Sequence, residues 1–436
     1  MTALVIGAGL AGSEAAWQLA ERGVPVRLYD MKPKRMTPAH ASPLFAELVC
    51  SNSLRSNILS NGAGLLKEEL RVLDSLVIKA ADACRVPAGG ALAVDRTLFS
   101  QMITDALTSH PLIEVVCQEV TQVPEGPVII ATGPLTSEAL ATGISKLEGL
   151  RHLSFYDASA PIITADSLRM EAIFRQSRYE KGNDYLNCAL NQQEYDAFYD
   201  ALLEAQTVHV HGFEEEKVFE GCMPIESMAR RGRQTLAFGP LRPVGLKDPR
   251  TGKRAHAIVQ LRQEDAEGSL YNIVGFQTRL KQQEQKRVFG LIPGLENACY
   301  VRYGRMHRNT FINSPGFLDN TYRVILRESL YFAGQITGTE GYIEAVAGGM
   351  TSGINLARYI KGKPAVHFPA FTMIGALAAY ISRPNPAYQP MNGVFGLIEP
   401  LENNGAATIK KAGKAMRHMA IAQASLTYLN KECQDI

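Results

Sequence analysis

Cysteine is scarce and unpaired in this chain: seven occur in 436 residues, an odd number without close spacing. That pattern excludes a disulfide framework and the paired ligand spacing of a zinc site, so no metal is expected. Charge of one sign is also lacking. With 45 Lys and Arg against 43 Asp and Glu the net charge is +2, and bulk charge by itself points to no nucleic-acid partner. Long apolar runs are missing as well. The N-terminal apolar stretch has no basic region ahead of it and is interrupted by glycines, and the longest later one, residues 368–381, contains Pro369 and Gly375. Neither reads as a secretory signal or a bilayer span; the expectation is a cytoplasmic protein without a membrane partner. No internal repeat or low-complexity tract stands out. What is present, 46% hydrophobic residues over this length, suffices for a large core divided among about two or three domains.

The most informative segment comes first. An apolar strand runs directly into Gly7-Ala8-Gly9-Leu10-Ala11-Gly12, and a helix-forming run follows over 13–21. Gly7 permits a tight turn, Gly9 lets a pyrophosphate approach bare backbone, and Gly12 lets the helix sit close to the strand, with the helix N-terminus facing the phosphates. A second strand over 24–28 leads to Asp30, 23 residues after Gly7. An acid there accepts hydrogen bonds from both ribose hydroxyls of an adenosine half and disfavours a 2′-phosphate.

Further along, the pattern predicts a polar segment over 45–59, an amphipathic helix over 65–83, a hairpin around Gly89 and Gly90, and a helix over 95–109 capped by Asp95. A strand over 128–131 enters a second glycine turn at Thr132-Gly133-Pro134, and a late strand ends at Gly334-Gln335. Gly341 then precedes a helix over 343–360, rich in small residues suited to close approach. The intervening region changes character, with strand-like runs at 235–238, 256–261 and 271–276. Charge is concentrated locally: nine Lys and Arg, including Arg230, Arg231, Arg233 and Arg262, lie between 228 and 262 with Asp248 the single acid. Arg302, Arg305, His307 and Arg308 form a second group, and Lys410, Lys411, Lys414, Arg417 and His418 a third on a basic helix from 407. Such concentration suits phosphate contacts, with a solvated face as the alternative for any one patch.

Gly7–Gly12, Ala131-Thr132-Gly133 and Phe332-Ala333-Gly334 recur in this order in flavoproteins of the glutathione-reductase type, where they hold FAD. More specific are Glu47-Leu-Val-Cys50-Ser51-Asn52-Ser-Leu-Arg-Ser-Asn57, Val86-Pro-Ala-Gly-Gly-Ala-Leu-Ala-Val-Asp95, Phe219-Glu-Gly-Cys222-Met-Pro-Ile-Glu226, and the run from Arg302 to Pro315. Over residues 1 to about 360 the chain resembles the folate- and FAD-dependent tRNA (uracil-5-)-methyltransferases. The resemblance implies an α/β fold: a glutathione-reductase-type, Rossmann-like FAD domain with an inserted α+β domain and a helical C-terminal tail. The boundaries expected are 1–152 and 289–365 for the FAD domain, 153–288 for the substrate and tRNA insert, and 366–436 for the tail. It also implies methylation of carbon 5 of the T-loop uridine at tRNA position 54. The one-carbon unit comes from 5,10-methylenetetrahydrofolate, and the electrons from FAD reduced by NAD(P)H.

Carbon 5 of uracil is a poor nucleophile until a group adds at carbon 6, and a thiolate is the side chain best suited to add and later leave. In the resemblance Cys222 matches the nucleophile and Cys50 the cysteine beside the flavin; from the residues alone the two roles are interchangeable. Cys222 lies just upstream of the Arg230-Arg231-Gly-Arg233 cluster, whose field lowers a thiol pKa, whereas Cys188 reads as structural. The cofactor residues expected are Gly7, Ala8, Gly9, Leu10, Ala11, Gly12, Asp30, Ser51, Asn52, Gly133, Gly334, Gln335 and Gly341. Arg230, Arg231, Arg233, Arg305 and Arg308 are the RNA contacts expected, and His307 is either a flavin or phosphate contact or a surface residue. Gln335 replaces the acid that many such flavoproteins place after the late glycine, so no carboxylate role carries over there. No obligate protein partner is expected. Two rivals are the related FAD-dependent protein that modifies the wobble uridine with a carboxymethylaminomethyl group, ranked low because the chain stops at Ile436 without its long helical extension, and a small-molecule flavin oxidoreductase. A non-catalytic RNA-binding flavoprotein is a third.

Overall fold

The computed structural model describes residues 1–37, 39–147, 152–180, 182–208, 223–386, 388–399 and 413–432. Its organising element is a six-stranded sheet in the order Arg323–Val324, Arg327–Phe332, Val128–Ile130, Ala3–Ile6, Val26–Asp30, Ile113–Cys117. Every pairing is parallel except that of the edge strand Arg323–Val324. The two central strands, Ala3–Ile6 and Val128–Ile130, are apolar throughout because helices cover both faces, whereas Arg27 and Glu114 stand exposed toward one edge. The chain leaves Ala3–Ile6 to build Val26–Asp30 on one side and later Val128–Ile130 on the other, so a crevice opens at the carboxyl end of the first strand, where ligands bind in such sheets.

Two helices meet over this crevice. Leu10–Glu21 follows the glycine turn, and Tyr342–Ile360 crosses it so closely that a Cβ on Gly349 would lie 2.2 Å from the Ala11 carbonyl oxygen. The small residues of the later helix thus serve chiefly to bring two helix backbones together. Its first turn alone reaches the crevice.

A second lobe carries an antiparallel sheet in the order Ile173–Arg175, Tyr185–Leu190, Ala257–Gln263, Leu270–Ile273, Ile162–Thr164, Tyr300–Arg302. Helices Gln192–Glu204 and Gln282–Phe289 close over it and bury their own core, in which Phe276 meets Phe289 edge-on at 5.0 Å. A two-stranded ribbon, His152–Ala158 against Met306–Ile312, links the lobes. Arg85–Val86, Ala91–Val94 and Ser53–Ser56 form a small third sheet on the first lobe.

Several expectations hold in detail. Asp95 caps Arg96–Ser109, its Oδ1 accepting the Thr97 and Leu98 N–H groups at 2.9 Å. The hairpin around Gly89 and Gly90 forms, pairing Val86 with Ala93. Others are corrected. The single helix expected over 65–83 is two, Gly62–Val72 and Leu76–Ala83. Asp74 turns left-handed and the Ser75 hydroxyl caps the second by accepting the Ile78 N–H at 3.2 Å; Ser75 also donates to the buried Glu14. Residues 235–238, expected as strand, form one helical turn with Leu236 and Ala237 buried. The polar segment at 45–59 contains the short strand Ser53–Ser56. The C-terminal helix, expected from 407, is described over Lys414–Glu432 and buries Ala422, Ser425 and Leu429 against the first lobe.

Candidate active site

The glycine turn divides its labour. Gly7 adopts φ +97°, and a Cβ there would lie 2.7 Å from the Ala131 carbonyl oxygen, while a Cβ on Gly12 would lie 1.7 Å from that of Gly7. Both positions are filled by protein. Around Gly9 no atom lies within 4 Å of such a Cβ, so its backbone faces open space at the start of a helix, the arrangement a pyrophosphate requires. Asp30 ties the turn to the strand end: Oδ2 accepts the Ala8 N–H and Oδ1 the Lys32 N–H, both at 2.8 Å. The residues present therefore fit the dinucleotide part of FAD. Gly7, Gly9, Leu10, Ala11 and Asp30 line one cavity together with Gly133, Gly334, Gln335 and Gly341. Ala8 is fully buried and contributes through its N–H, and Gly12 contributes through packing.

The first cavity shares the walls Val49, Pro134, Leu135, Gln335, Gly341 and Tyr342 with a second, which extends to Cys50, Ser51, Arg55, Arg262, Gln277, Asn309 and Glu340. Cys50 is half-buried there. Its loop is gripped from both lobes. The Tyr342 hydroxyl accepts the N–H groups of Cys50 at 2.8 Å and Ser51 at 3.2 Å. From the second lobe Arg262 donates to Ser51 Oγ at 2.7 Å and to Asn52 Oδ1 at 2.8 Å. Asn52, fully buried and outside both cavities, returns donors to the Val94 and Gln263 carbonyls. Arg96 donates to the Leu48 carbonyl and pairs at 2.6 Å with the buried Glu264. Burial pushes the Tyr342 hydroxyl well above its ordinary pKa, so it keeps its own proton while accepting two bonds.

Cys222 lies outside the described residues. The chain resumes at buried Met223, and the Ile225 N–H donates at 2.7 Å to the carbonyl of Gln277, a wall of the second cavity. Three residues of chain span at most about 10 Å, so the backbone at 225 is anchored within short reach of that cavity. Glu226 beside it is buried, accepts Thr278 Oγ1 and the Arg279 N–H at 2.9 Å, and has its carboxyl pKa raised by desolvation.

The basic residues fare unequally. Arg230 and Arg231 are exposed at the end of helix Ile225–Arg230, but Arg233 binds Asp196 and Asp200 at 2.7 and 2.5 Å and lies over the Tyr199 ring. Arg305 is exposed at the ribbon, whereas the side chains of His307 and Arg308 lie outside what is described. Arg262, counted in sequence within a basic surface run, is 8% exposed and structural to the site. Gln335 Nε2 donates to Glu340 Oε2 at 2.6 Å, which places a carboxylate beside the residue whose own acid is missing. Tyr342, Arg262 and Glu340 were not singled out as site residues; the position of Tyr342 directly after Gly341 was the one local signal. Cys188 is buried, its thiol pushed up to about 12 by desolvation. Among the described residues no group of three His, Cys, Asp or Glu is placed to hold a metal, and no helix is long and apolar enough to cross a membrane.

Sheet order, glycine turn and crevice define an FAD-binding flavoprotein fold with an antiparallel second lobe. The fold is shared with GidA of Aquifex aeolicus, whose form II crystal structure superposes with a TM-score of 0.69 at 15% identity, covering 99% of this chain and 74% of that one. More particularly, the chain belongs to the glucose inhibited division protein A family, whose model matches residues 2–364. Within it, the methylenetetrahydrofolate–tRNA-(uracil-5-)-methyltransferase TrmFO of Listeria monocytogenes is 57% identical over 434 residues, 99% of each chain. The protein of the same name from Bacillus licheniformis is 60% identical over 402 residues, 92% of this chain and 93% of that one.

Proposed function

We propose that this protein methylates carbon 5 of a uridine in tRNA, taking the one-carbon unit from 5,10-methylenetetrahydrofolate. The uridine is that of the T-loop at position 54. Residues 1–152 and 289–365 hold FAD, residues 153–288 present the substrates, and the tail at 366–436 braces the first lobe. The observation that carries this reading is a cysteine, Cys50, in a cavity continuous with a dinucleotide crevice, in a chain 57% identical over nearly its whole length to a protein of that named activity. When bound, reduced FAD, which Gly9, Asp30, Gly133 and Gln335 would hold, would supply the electrons that convert the transferred carbon to a methyl group, with NAD(P)H reducing the flavin again.

The chain's own residues prepare the pyrimidine. Cys222 as thiolate adds to carbon 6, which moves electron density to carbon 5 for attack on the methylene carbon as its bond to one folate nitrogen opens; loss of the carbon 5 proton expels tetrahydrofolate from that carbon, and its reduction by two electrons and a proton then lets the thiolate leave carbon 6. Cys50, whose loop is held by Tyr342 and Arg262, shapes the pocket over that face and takes part in the proton transfer. Arg230, Arg231, Arg305 and Arg308 contact tRNA phosphates, and Arg233, paired with Asp196 and Asp200, braces that patch. The test is nucleoside mass analysis after incubating the holoenzyme with unmodified tRNA, methylenetetrahydrofolate and NADPH, without S-adenosylmethionine. The expected product is 5-methyluridine. Cys222→Ala is expected to abolish the covalent adduct with RNA carrying 5-fluorouridine at the target, and an undiminished adduct transfers the nucleophile role away from Cys222.

A further inference from the structure

The motif from Cys50 to Asn57 holds a second polar side chain that the scheme above leaves idle. Arg55 adopts φ +66°, a left-handed backbone that a side chain of this size rarely takes. The fold holds it there from several directions. Its N–H donates to Ser53 Oγ at 3.1 Å. The ammonium of Lys67, fully buried beneath the strand, donates to the carbonyls on either side, Leu54 at 2.8 Å and Ser56 at 2.7 Å. The guanidinium is anchored as well: Nη1 donates to Glu344 Oε1 at 3.1 Å and to Asn392 Oδ1 at 2.8 Å. Glu344 is fully buried, yet Arg55 is 44% exposed.

A strained residue over-determined in this way is held for a use, and the use is legible from what the guanidinium faces. Arg55 lines the same cavity as Cys50. Both anchoring bonds consume Nη1, so Nε and Nη2 make no hydrogen bond to the described residues. The cavity's other arginine, Arg262, is buried and committed to Ser51, Asn52 and Asn272. A forked pair of donors at the open rim matches a phosphate, and a bidentate guanidinium–phosphate contact is among the stronger polar interactions available.

Position separates an RNA phosphate from the carboxylates of a folate tail. From Arg55 a run of contacts leads outward along the surface: Asn61 donates to Ser56 Oγ at 3.1 Å, and His418 on the C-terminal helix meets the Ser60 carbonyl at 2.9 Å. That helix exposes Lys414 and Arg417. A polyanion entering the cavity therefore meets cations both at the rim and beyond it, whereas a tail carboxylate needs only one. We propose that Arg55 binds a backbone phosphate beside the target nucleotide, with Lys67 and Glu344 as its positioning residues. The inference rests on the functional reading above and adds to it the residue that registers the RNA strand against Cys50.

The test compares holoenzyme of wild type, Arg55→Lys, and the double variant Arg55→Gln with Glu344→Gln. The double variant removes the buried carboxylate along with its partner, and flavin absorbance reports that it is folded. Unmodified tRNA binding is followed against salt, together with KM for tRNA and for methylenetetrahydrofolate. The double variant is expected to bind tRNA about tenfold more weakly, with the log–log salt slope reduced by roughly 0.7–0.9 and KM for the folate unchanged. Arg55→Lys is expected to keep the slope and lose part of the affinity, because charge survives and the fork does not. Unchanged tRNA binding and slope in the double variant overturn the inference, as does a KM shift confined to the folate. Wild-type protein that binds tRNA but makes no 5-methyluridine overturns the functional reading and the inference with it.

Discussion

Tyr342→Phe removes one oxygen and leaves the ring, so it isolates what the hydroxyl does. That oxygen is the shared acceptor for the Cys50 and Ser51 N–H groups, at 2.8 and 3.2 Å. An unsatisfied buried donor costs about 1–3 kcal/mol. Because the Cys50 loop borders a cavity, water can reclaim part of that loss, and a net local cost of about 2 kcal/mol is expected. Spent on opening the loop, 2 kcal/mol corresponds to about thirtyfold faster amide exchange at residues 50 and 51. Arg262 still holds Ser51 and Asn52 from the other lobe, so the loop loosens without detaching. Displacement of a reacting group by about 1 Å costs up to about a hundredfold in rate, so kcat should fall about ten- to a hundredfold while tRNA affinity holds. The assay pairs peptide-resolved hydrogen exchange over the 45–57 segment with single-turnover methylation. Unchanged exchange and unchanged turnover in a folded, flavin-loaded variant would falsify the claim that this hydroxyl positions the cysteine.

Two further outcomes follow from packing and burial. Gly12→Ala is expected to yield protein that no longer retains FAD through purification, since its Cβ would lie 1.7 Å from the Gly7 carbonyl oxygen and must displace the helix that forms the cradle; a yellow, fully loaded variant contradicts this. Glu69 is fully buried, accepts the Met373 and Ile374 N–H groups and the Ser425 hydroxyl, and has its carboxyl pKa pushed by desolvation from the ordinary 4.5 up to about 7. A raised carboxyl contributes stability that is complete below the unfolded pKa and is lost as pH rises through the folded one, so the stability difference between wild type and Glu69→Gln should shrink by up to about 3 kcal/mol between about pH 4.5 and 7. Urea melts of both proteins across that range decide it, and a constant difference rejects the assignment.

The cradle was legible in sequence because its determinants are local: glycine spacing, the apolar strand before it and the acid at position 30 lie within thirty residues of one another. Asp95 as a helix cap was legible for the same reason, and the break at Asp74-Ser75 was there to be read as a capping signal. The partners of the Cys50 loop were not. Tyr342 is 292 residues away from Cys50, and Arg262 is 211 from Ser51; nothing local reports that their side chains converge. Arg262 shows the difficulty sharply, since a run of cations reads as surface and the sheet buries this one. The turn at 235–238 was misread because four residues carry too little periodicity to separate strand from helix, and burial of Leu236 and Ala237 settles it.

The long-range contacts also tie the Cys50 loop to the second lobe. Arg262, on strand Ala257–Gln263, holds the Cys50 loop. Gln277, four residues beyond strand Leu270–Ile273 of the same sheet, accepts the N–H of Ile225, three residues past Cys222. Those two strands are directly paired, Leu261 opposite Ile273. The Cys50 loop, although part of the first lobe, is therefore also tied to the strand paired with the one that precedes Gln277. Because Ser53–Ser56 pairs with Ala91–Val94 and Asn52 donates to the Val94 carbonyl, the loop moves with the first lobe, and a hinge between the lobes would strain the Arg262 bonds to Ser51 and Asn52 first. Arg262 is thus the point at which the second lobe is brought into register with the Cys50 loop, and hydrogen exchange over residues 50–52 would report loosening of that tie.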